Sequence, residues 1–459
     1  MDEHGDRIHI YPRQLFGRWL KRRTVVNLVL MAVYFGLPWL TVGGNQAVLF
    51  DIPRRKMALF GLVLWPQDTV LLWLFLFTAL VGIFFFTALF GRVWCGWACP
   101  QTVFMEGVFR HIERWIEGRP AARRKRDAGP WTLDKAWRKG LKHAVFLLIA
   151  AHVANTFLCY FAGTDRVLDM TTSSPSQAPA WFGFMAGITA VFYFDFAWFR
   201  EQLCTMACPY GRWQSVLIDR HSLLVGYDEK RGEGRARMGV RRAAAKAEEA
   251  TGASGQTFGD CVDCSLCVQV CPTGIDIRDG LQLECVGCTA CIDACDAVMT
   301  KVGKPEGLIR YASLAALDGE RRRLVRPRSI IYGVVMVLAA GLFVAKLATR
   351  ADIEVQVVRA QRNAVQMVGD EVLNHFRAKL VNKSDEPIKV KVDVPGERVA
   401  VPLNPWPVPA ASAVTMEIFV KRPKSAFGAD VERVKMLFSV DAKPVHDAEV
   451  PLLGPGMRH

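Results

Sequence analysis

The chain has 459 residues, enough for two or three domains, and a formal net charge of +14. Apolar residues make up 51% of the chain. They concentrate in a few long runs, and Lys and Arg crowd beside those runs. This arrangement is typical of a multi-pass membrane protein. It argues against a nucleic-acid-binding protein, because the sequence shows no recognition module of that class.

Five apolar runs predict membrane spans, each close to the length needed to cross the hydrocarbon core of a bilayer. The lipid bilayer is therefore the first predicted partner. A polar head, residues 1–24, precedes the first run. That run lacks the small-residue cleavage site of a signal peptide, so we expect it to remain as a span. The predicted spans are residues 25–42, 69–90, 141–161, 180–199 and 329–348.

The distribution of Lys and Arg predicts the orientation of these spans. The head, residues 91–140 and residues 200–328 are basic, whereas the loops 43–68 and 162–179 carry few basic residues. We therefore expect the basic segments in the cytoplasm and the tail, residues 350–459, on the opposite side. In a Gram-negative bacterium this describes an inner-membrane protein with a periplasmic tail.

Two C-x3-C-P motifs follow the second and fourth spans at matching positions, within a predicted membrane core of residues 25–226. The first motif contains Cys95 and Cys99, and the second contains Cys204 and Cys208. Such a repeat predicts that the four thiols lie together near the membrane surface. They are candidate catalytic redox thiols and candidate copper ligands.

Each motif also predicts the start of a helix, because proline suits the first helical turn. The helices are expected at 101–115 and 210–218. A thiol at a helix N-terminus has a lowered pKa and more thiolate character. With Met105 and Met206 nearby in sequence, the four thiols form a soft donor set that favours Cu(I). The alternatives are a third iron–sulfur cluster, which x3 spacing fits less well, and buried cysteines that only pack.

Other polar residues near the spans are further candidates. Cys159 and His152 share one face of the third span; we expect Cys159 to pack, and His152 either to bind metal or to pack. His111 and His221 follow the two motifs and are candidate metal ligands or quinone contacts. Asp195 lies near the end of the fourth span, where it either orients the site, relays protons or pairs with an arginine.

Residues 258–328 contain the most specific motif of the chain. The pattern C-x2-C-x2-C-x3-C occurs twice, at 261–271 and at 285–295. It is the ligand pattern of two [4Fe–4S] clusters in bacterial-type ferredoxins, in which the fourth cysteine of each run serves the other cluster. Zinc sites favour separated C-x2-C pairs, often with histidine, and this stretch has no histidine. The predicted ligands are Cys261, Cys264, Cys267 and Cys295 for the first cluster, and Cys271, Cys285, Cys288 and Cys291 for the second.

The segments on either side of the ferredoxin motif differ in character. Residues 227–257 are charged and rich in Gly and Ala, which predicts a flexible linker with a short surface helix at 241–249. The tail alternates apolar and polar residues in short runs, which predicts an all-β immunoglobulin-like sandwich with a docking or spacer role. The predicted strands include 353–358, 372–381, 388–394, 414–420 and 434–440.

The sequence has no C-x-x-C-H motif for covalent haem, no G-x-G-x-x-G motif for a dinucleotide and no P-loop. We therefore expect electrons to arrive from a cytoplasmic protein donor or from a membrane quinol.

Taken together, the five spans, the motifs at Cys95/Cys99 and Cys204/Cys208, the double cluster motif and the C-terminal sandwich resemble the CcoG/FixG/RdxA family. These are accessory proteins of cbb3-type cytochrome oxidase. The membrane part alone is also similar to NapH- and NosR-type proteins, and the sandwich favours the first family. One departure is Asp296, which follows the last cysteine where a ferredoxin usually has proline.

The resemblance implies a multi-domain membrane oxidoreductase that reduces Cu(II) to Cu(I) for the haem–copper centre of the oxidase. The oxidase itself or a copper chaperone would then be a partner. Two other functions remain open: an electron conduit from a quinol or ferredoxin to a periplasmic enzyme, and a non-catalytic scaffold that docks the oxidase through residues 350–459. The sequence also leaves open whether the protein forms a homodimer.

Overall fold

A computed structural model describes residues 9–52, 56–251, 257–360, 365–384, 386–410 and 412–455. The first residues of the predicted head, residues 252–256 of the predicted linker and the last residues of the tail lie outside these ranges. The chain divides into two units. One comprises residues 1–40, 46–57 and 66–343, and the other comprises residues 41–45, 58–65 and 344–459.

The first unit is mainly helical. Its α-helices are Arg18–Gly36, Thr69–Phe90, Val93–Trp97, Pro100–Phe104, Arg110–Glu117, Pro120–Ala128, Leu133–Ala162, Thr164–Thr172, Pro179–Phe194, Pro209–Leu217, Glu229–Gly232, Met238–Thr251, Leu266–Gln269, Ala290–Lys301, Leu314–Leu317 and Pro327–Ala348, the last of which runs into the second unit. Three π-helical segments are Met105–Phe109, Asp195–Phe199 and Leu203–Ala207. Short 3-10 turns are Leu37–Trp39, Pro66–Asp68 and Ile277–Asp279, and its strands include Val48–Asp51, Leu224–Tyr227 and Ile309–Ala312.

Four helices of the described chain are long and apolar enough to cross a membrane: Thr69–Phe90, Leu133–Ala162, Pro179–Phe199 (including its π-helical end) and Pro327–Ala348. They contain the second to fifth predicted spans. The third begins earlier than predicted because the polar residues before the apolar run are also helical. The hydroxyl of Thr132 caps that helix by accepting a hydrogen bond from the Lys135 N–H (3.2 Å).

The first predicted span differs most from the structure. Its helix, Arg18–Gly36, begins within the basic head and ends before Pro38, whose ring cannot continue the hydrogen-bond ladder. The helix includes four basic residues, and it is not among the four described helices that are apolar enough to span. Val25, Leu28 and Val29 nevertheless expose apolar side chains along it. A fifth span therefore remains a prediction.

The start of helix Arg18–Gly36 is held by a residue from the ferredoxin region. The carboxylate of Asp293 accepts hydrogen bonds from the backbone N–H groups of Trp19 (3.1 Å) and Leu20 (2.8 Å). The residue at the N-cap position, Gly17, has no side chain that could cap this helix. Because unpaired N–H groups at a helix start are costly, Asp293 joins the head to the ferredoxin region.

Replacing this cap, Asp293→Ala, is expected to destabilise the protein by about 1–2 kcal/mol, because two N–H groups lose a largely buried acceptor. Denaturant unfolding of the detergent-solubilised protein, followed by tryptophan fluorescence, measures the change. Asp279→Ala, which removes an exposed carboxylate from the same region, is the control. Equal stability of the two variants would contradict the capping role.

The ferredoxin region begins earlier in the chain than the predicted boundary at residue 258. Strand Leu224–Tyr227 is buried along its length and pairs antiparallel with Ile309–Ala312. Within the segment predicted as a flexible linker, Arg231 forms an ion pair with Asp260 (2.6 Å), and Met238–Thr251 is helical. These contacts fold at least part of residues 227–257 onto the ferredoxin region, which composition alone did not indicate.

The second unit contains two antiparallel sheets. The first has the strand order Arg398–Ala400, Ser412–Pro423, Glu371–Asn382 and Ile353–Arg359, with Val365–Val368 also paired to Glu371–Asn382. The second has the order Trp406–Val408, Ile388–Asp393, Val431–Val440 and Lys443–Leu453. The five predicted strands are all confirmed with small shifts at their ends. Of the short strands before the second apolar run, Asn45–Gln46, Lys56–Leu59 and Leu62–Leu64 lie where a loop was predicted, whereas Thr41–Val42 lies at the end of the first predicted span. In the tail, Lys424–Ala426 is a 3-10 turn.

Alternate residues of the two sheets form one apolar core, as the period of a half-buried strand requires. Phe376, Leu380, Ile418 and Phe438 are each at most 1% exposed within it. The tail is therefore an all-β sandwich with its own core.

Candidate redox site

The eight ferredoxin cysteines surround two small cavities of about 20 Å³ each. Each cavity is lined by three cysteines of one run and by the last cysteine of the other run; Cys267 also reaches the second cavity. All thirteen cysteines are free thiols, so none is consumed by a disulfide. The donor set fits two [4Fe–4S] clusters, because a cubane takes four thiolates. One cavity is lined by Cys261, Cys264, Cys267 and Cys295, and the other by Cys271, Cys285, Cys288 and Cys291.

Both cysteine runs turn sharply at equivalent positions. Ser265 and Thr289, each directly after the second cysteine of its run, have φ angles of 54° and 66°. Non-glycine residues rarely adopt this left-handed conformation, and it persists where surrounding structure dictates it. A helix begins immediately after each turn, at Leu266 and at Ala290, and carries the third cysteine of the run.

Burial raises the pKa of three cysteine thiols in the unmetallated chain, to about 11 for Cys267 and to about 12 for Cys285 and Cys295. These groups are therefore neutral thiols near pH 7 until a metal displaces their protons. Cluster loading is expected to release protons.

The second cluster loop, residues 285–288, is in direct contact with the first C-x3-C-P motif. The guanidinium of Arg92 donates hydrogen bonds to the carbonyls of Cys285 (3.1 Å) and Gly211 (2.6 Å), so it links the cluster loop to the helix after the second motif. A Cβ atom on Gly96 would lie only 2.6 Å from the Gly287 carbonyl oxygen. The two backbones can approach this closely because residue 96 has no side chain.

Aromatic residues fill the rest of this contact. The indole N–H of Trp97 donates to the hydroxyl of Tyr311 (2.9 Å), and that hydroxyl donates to the Gly287 carbonyl (3.1 Å). Trp19 packs edge-on against both rings, with centroid distances of 6.0 Å and 5.3 Å. Sequence reasoning missed these residues, and also Arg23, whose buried guanidinium donates to the Cys288 carbonyl (2.7 Å).

The structure brings the four motif cysteines together. Cys95 lies in helix Val93–Trp97, and Cys204 in the π-helical segment Leu203–Ala207. Cys99 and Cys208 each precede a proline that opens a helix, as predicted. The first of these helices is interrupted by the π-helical segment Met105–Phe109. Such segments occur frequently at functional sites.

The environment of these thiols differs from the expected one. Burial raises the pKa of Cys99 even though the N–H groups of Gln101 and Thr102 lower it. Burial and the neighbouring thiols raise the pKa of Cys204 to about 12, and burial raises that of Cys95 to about 11. Desolvation therefore outweighs the helix N-terminus, and the prediction of lowered pKa values is wrong for these three cysteines.

The four thiols are close but do not form a ready site for one metal ion. Across the described ranges, no three His, Cys, Asp or Glu side chains converge as the ligands of a single ion. A bound copper ion would have to draw the thiols closer together. A polynuclear cluster spaces its cysteines further apart than one ion does.

The candidate histidines lie elsewhere. His152 is exposed and stacks on Phe35 with ring centroids 4.9 Å apart. The Nδ1 atom of His111 lies 2.9 Å from the carbonyl oxygen of Glu106, and the Nδ1 atom of His221 accepts a hydrogen bond from the Arg323 N–H (3.4 Å). None of these three contacts involves a thiol.

The remaining two candidates behave differently from each other. Cys159 is buried against Leu158 and Val167, as expected for a packing residue. Asp195 accepts a hydrogen bond from the side-chain amide of Gln101 (3.2 Å), and the same amide donates to the Arg200 carbonyl (3.1 Å). Asp195 thus ties the segment after Cys99 to the segment before Cys204.

A buried ion network also joins the segment that follows the first motif to the residue just before the second motif. Arg200 forms a bidentate pair with Glu113, at 2.6 Å and 3.0 Å, and Arg123 contacts the same carboxylate at 2.8 Å. All three side chains are buried. Sequence reasoning missed this network, because its partners are far apart along the chain.

Comparisons with known proteins agree with this organisation. Three family profiles match the chain: a 4Fe-4S binding domain at residues 71–120, a 4Fe-4S dicluster domain at 199–314, and the Ig-like fold at the C-terminus of FixG at 343–452. The first of these profiles covers Cys95 and Cys99, and the second covers Cys204 and Cys208 as well as the eight ferredoxin cysteines.

Full-length relatives show the same resemblance. The chain is 34% identical to nitrogen fixation protein FixG of Rhizobium meliloti, over 96% of this chain and 91% of that protein. It is 34% identical to protein RdxA of Cereibacter sphaeroides over 86% of this chain and 83% of that protein, and 33% identical to RdxB of the same organism over 95% and 94%. The chain is therefore an iron–sulfur membrane protein that belongs to the FixG/RdxA family.

Proposed function

We propose that the protein is a cupric reductase, which converts Cu(II) to Cu(I) at its four motif thiols during assembly of a cbb3-type oxidase. The observation that carries this proposal is the contact between the second cluster loop and the first motif. Gly96 lies against Gly287. Gly96 is the neighbour of the motif cysteine Cys95, and Gly287 is the neighbour of the predicted cluster ligand Cys288, so the two backbone segments that carry these thiols are in contact.

The chain's own residues provide binding and positioning in this reaction. Cys95, Cys99, Cys204 and Cys208 offer soft donors that favour Cu(I) over Cu(II), so their binding energy itself favours reduction. Arg92 holds the cluster loop against the segments that carry these thiols. When bound, an iron–sulfur cluster supplies electrons singly, which matches the one electron needed for each Cu(II).

A second candidate for the four thiols is a third iron–sulfur centre, which would make the protein an electron conduit. Two observations favour it: the 4Fe-4S binding profile that covers Cys95 and Cys99, and the lack, in the described residues, of thiols converging on a single ion. Iron analysis separates the two candidates, because two cubanes hold about eight iron atoms and a further cluster would raise this number.

The proposal also includes the orientation and the partners. In this orientation, helix Arg18–Gly36 is a fifth span, and the head and the ferredoxin region lie in the cytoplasm. Electrons would then enter on the cytoplasmic side, from a protein donor or a quinol. Residues 350–459 would form a periplasmic domain that docks the oxidase or a copper chaperone. Protease is added to sealed vesicles of either orientation, and the cleaved segments are identified. The ferredoxin region should be cleaved only in inside-out vesicles, and residues 350–459 only in right-side-out vesicles.

The function is tested anaerobically with detergent-purified, pre-reduced protein. We expect Cu(II) to accept electrons from the reduced clusters, so that the broad visible absorbance of the oxidised clusters returns and Cu(I) appears on a chelator. Changing all four motif cysteines to serine is expected to slow the oxidation of the clusters by Cu(II), because the soft donor site is lost. The remaining rate should be that of a nonspecific reaction between Cu(II) and an exposed ferredoxin. The control is Cys159→Ser, which removes a buried thiol outside the two motifs.

Three outcomes separate the candidates. A slow quadruple variant with a normal Cys159→Ser control supports cupric reduction at the motif thiols. A quadruple variant as fast as the parent overturns the site. Oxidation by a quinone analogue but not by Cu(II) supports the conduit function instead.

A further inference from the structure

A cavity of about 640 Å³ lies beside the second cluster loop and outside the four-thiol site. Its walls come from residues 11–16 of the head, from residues 106–124 after the first motif, and from the loop that carries Cys288 and Thr289. Its volume is that of a typical small-molecule pocket. All of its walls belong to the first unit of the chain.

The charge of this cavity is strongly positive. Among the described residues, seven arginines line it, and the acidic lining residues are Glu106 and Asp293. Both carboxylates are already engaged: Asp293 caps the helix Arg18–Gly36, and Glu106 pairs with Arg110 (2.6 Å) and Arg23 (3.9 Å). The lining arginines are Arg13, Arg23, Arg110, Arg114, Arg119, Arg123 and Arg124.

Several of these guanidinium groups retain free hydrogen-bonding capacity. Within the described ranges, Arg13, Arg114 and Arg119 have no side-chain carboxylate partner. Arg110 is only 7% exposed, yet its Nε atom has no hydrogen-bond acceptor. A buried donor without an acceptor is costly, so this pattern indicates that an anionic ligand completes the site.

We propose that this cavity binds a small molecule that carries a phosphate ester, next to the second cluster loop. Arginine presents a planar array of donors that matches a phosphate group, and several arginines from different segments can surround its oxygens. Leu15 and Leu20 in the same walls provide apolar surface for the remainder of the molecule. The phosphate ester comes from either a soluble nucleotide-like compound or a phospholipid headgroup.

Binding is tested on the full-length protein with clusters oxidised and without copper, so the result is independent of cupric reductase activity. Flavin mononucleotide and inorganic pyrophosphate are the soluble probes, measured by titration calorimetry in a zwitterionic detergent. For the lipid source, the protein is placed in nanodiscs of phosphatidylcholine with or without phosphatidylglycerol, and retained lipid is measured by native mass spectrometry.

The variant is Arg114→Gln with Arg119→Gln, which removes two cavity arginines. Loss of these charged hydrogen bonds is expected to weaken probe or lipid binding roughly tenfold or more. The matched control is Arg237→Gln with Arg242→Gln, which removes two exposed arginines outside the cavity. Cluster absorbance and the unfolding midpoint establish that both variants are folded.

One-to-one binding of a soluble probe that only the cavity variant weakens supports the soluble source. Retention of phosphatidylglycerol that only the cavity variant loses supports the lipid source. The proposal is overturned if neither ligand binds, or if the cavity variant and the exposed control weaken binding equally.

Discussion

Substituting Gly96→Ala is expected to slow the oxidation of reduced clusters by Cu(II) by a factor on the order of ten to a hundred, because small displacements at a reacting site carry penalties of this size. The added Cβ would lie 2.6 Å from the carbonyl oxygen and 2.7 Å from the carbonyl carbon of Gly287. Both atoms belong to the backbone, which cannot move aside as a flexible side chain does. The second cluster loop would therefore shift away from the motif.

Stopped-flow absorbance of the pre-reduced protein measures this rate, and electron paramagnetic resonance of the reduced clusters reports the altered loop. The control is Gly140→Ala, because a Cβ at that helical position meets no atom within 4 Å. That change is expected to stabilise the helix by roughly 0.5–1 kcal/mol and leave the rate unchanged. If Gly96→Ala keeps both the parent rate and the parent spectrum, the contact is not the route for electrons.

Replacing the central carboxylate of the ion network, Glu113→Gln, is expected to cost about 3–5 kcal/mol of stability, since it leaves buried arginines without their countercharge. Glu113 is fully buried, and Arg200 and Arg123 both contact it. Because Arg200 lies between the apolar helix Pro179–Phe199 and Cys204, we also expect the second motif to become mobile. Denaturant unfolding followed by tryptophan fluorescence measures the loss.

The pH dependence of this effect follows from the pKa of Glu113. Burial alone would raise it, but the charges of Arg200 and Arg123 outweigh burial and lower it from 4.5 to about 2. A lowered carboxylate pKa gives stability that is complete above 4.5 and is lost as pH falls through about 2. The difference between parent and Glu113→Gln should therefore be the same at pH 5.5 and pH 8.

The control for this second substitution is Asp134→Asn. That carboxylate also pairs with an arginine, Arg138 at 2.7 Å, but its side chain is 58% exposed. Exposed pairs are screened by water and salt, so we expect little or no change in stability. Similar losses for the two variants would show that the buried network has no special importance.

The local patterns of the sequence were enough to predict much of this protein. The spacing of the eight ferredoxin cysteines predicted two ligand quartets, because ligand spacing is a local property of the chain. The eight cysteines line two cavities, and Cys267 lines both. Four helices that are long and apolar enough to cross a membrane followed from the length of their apolar runs, and the tail strands followed from their alternation. The start of a helix at Pro100 and Pro209 followed from the fixed φ angle of proline.

Only the tertiary structure decided what surrounds these elements. It pairs strand Leu224–Tyr227 with a strand that lies beyond all eight cluster cysteines, and it sets Gly96 against the cluster loop. It also decides that burial, rather than the helix N-terminus, controls the pKa of Cys99. Burial depends on every neighbour that the fold assembles, whereas spacing and periodicity depend only on residues close in sequence. This is why the thiol motifs were visible in the sequence but their environment was not.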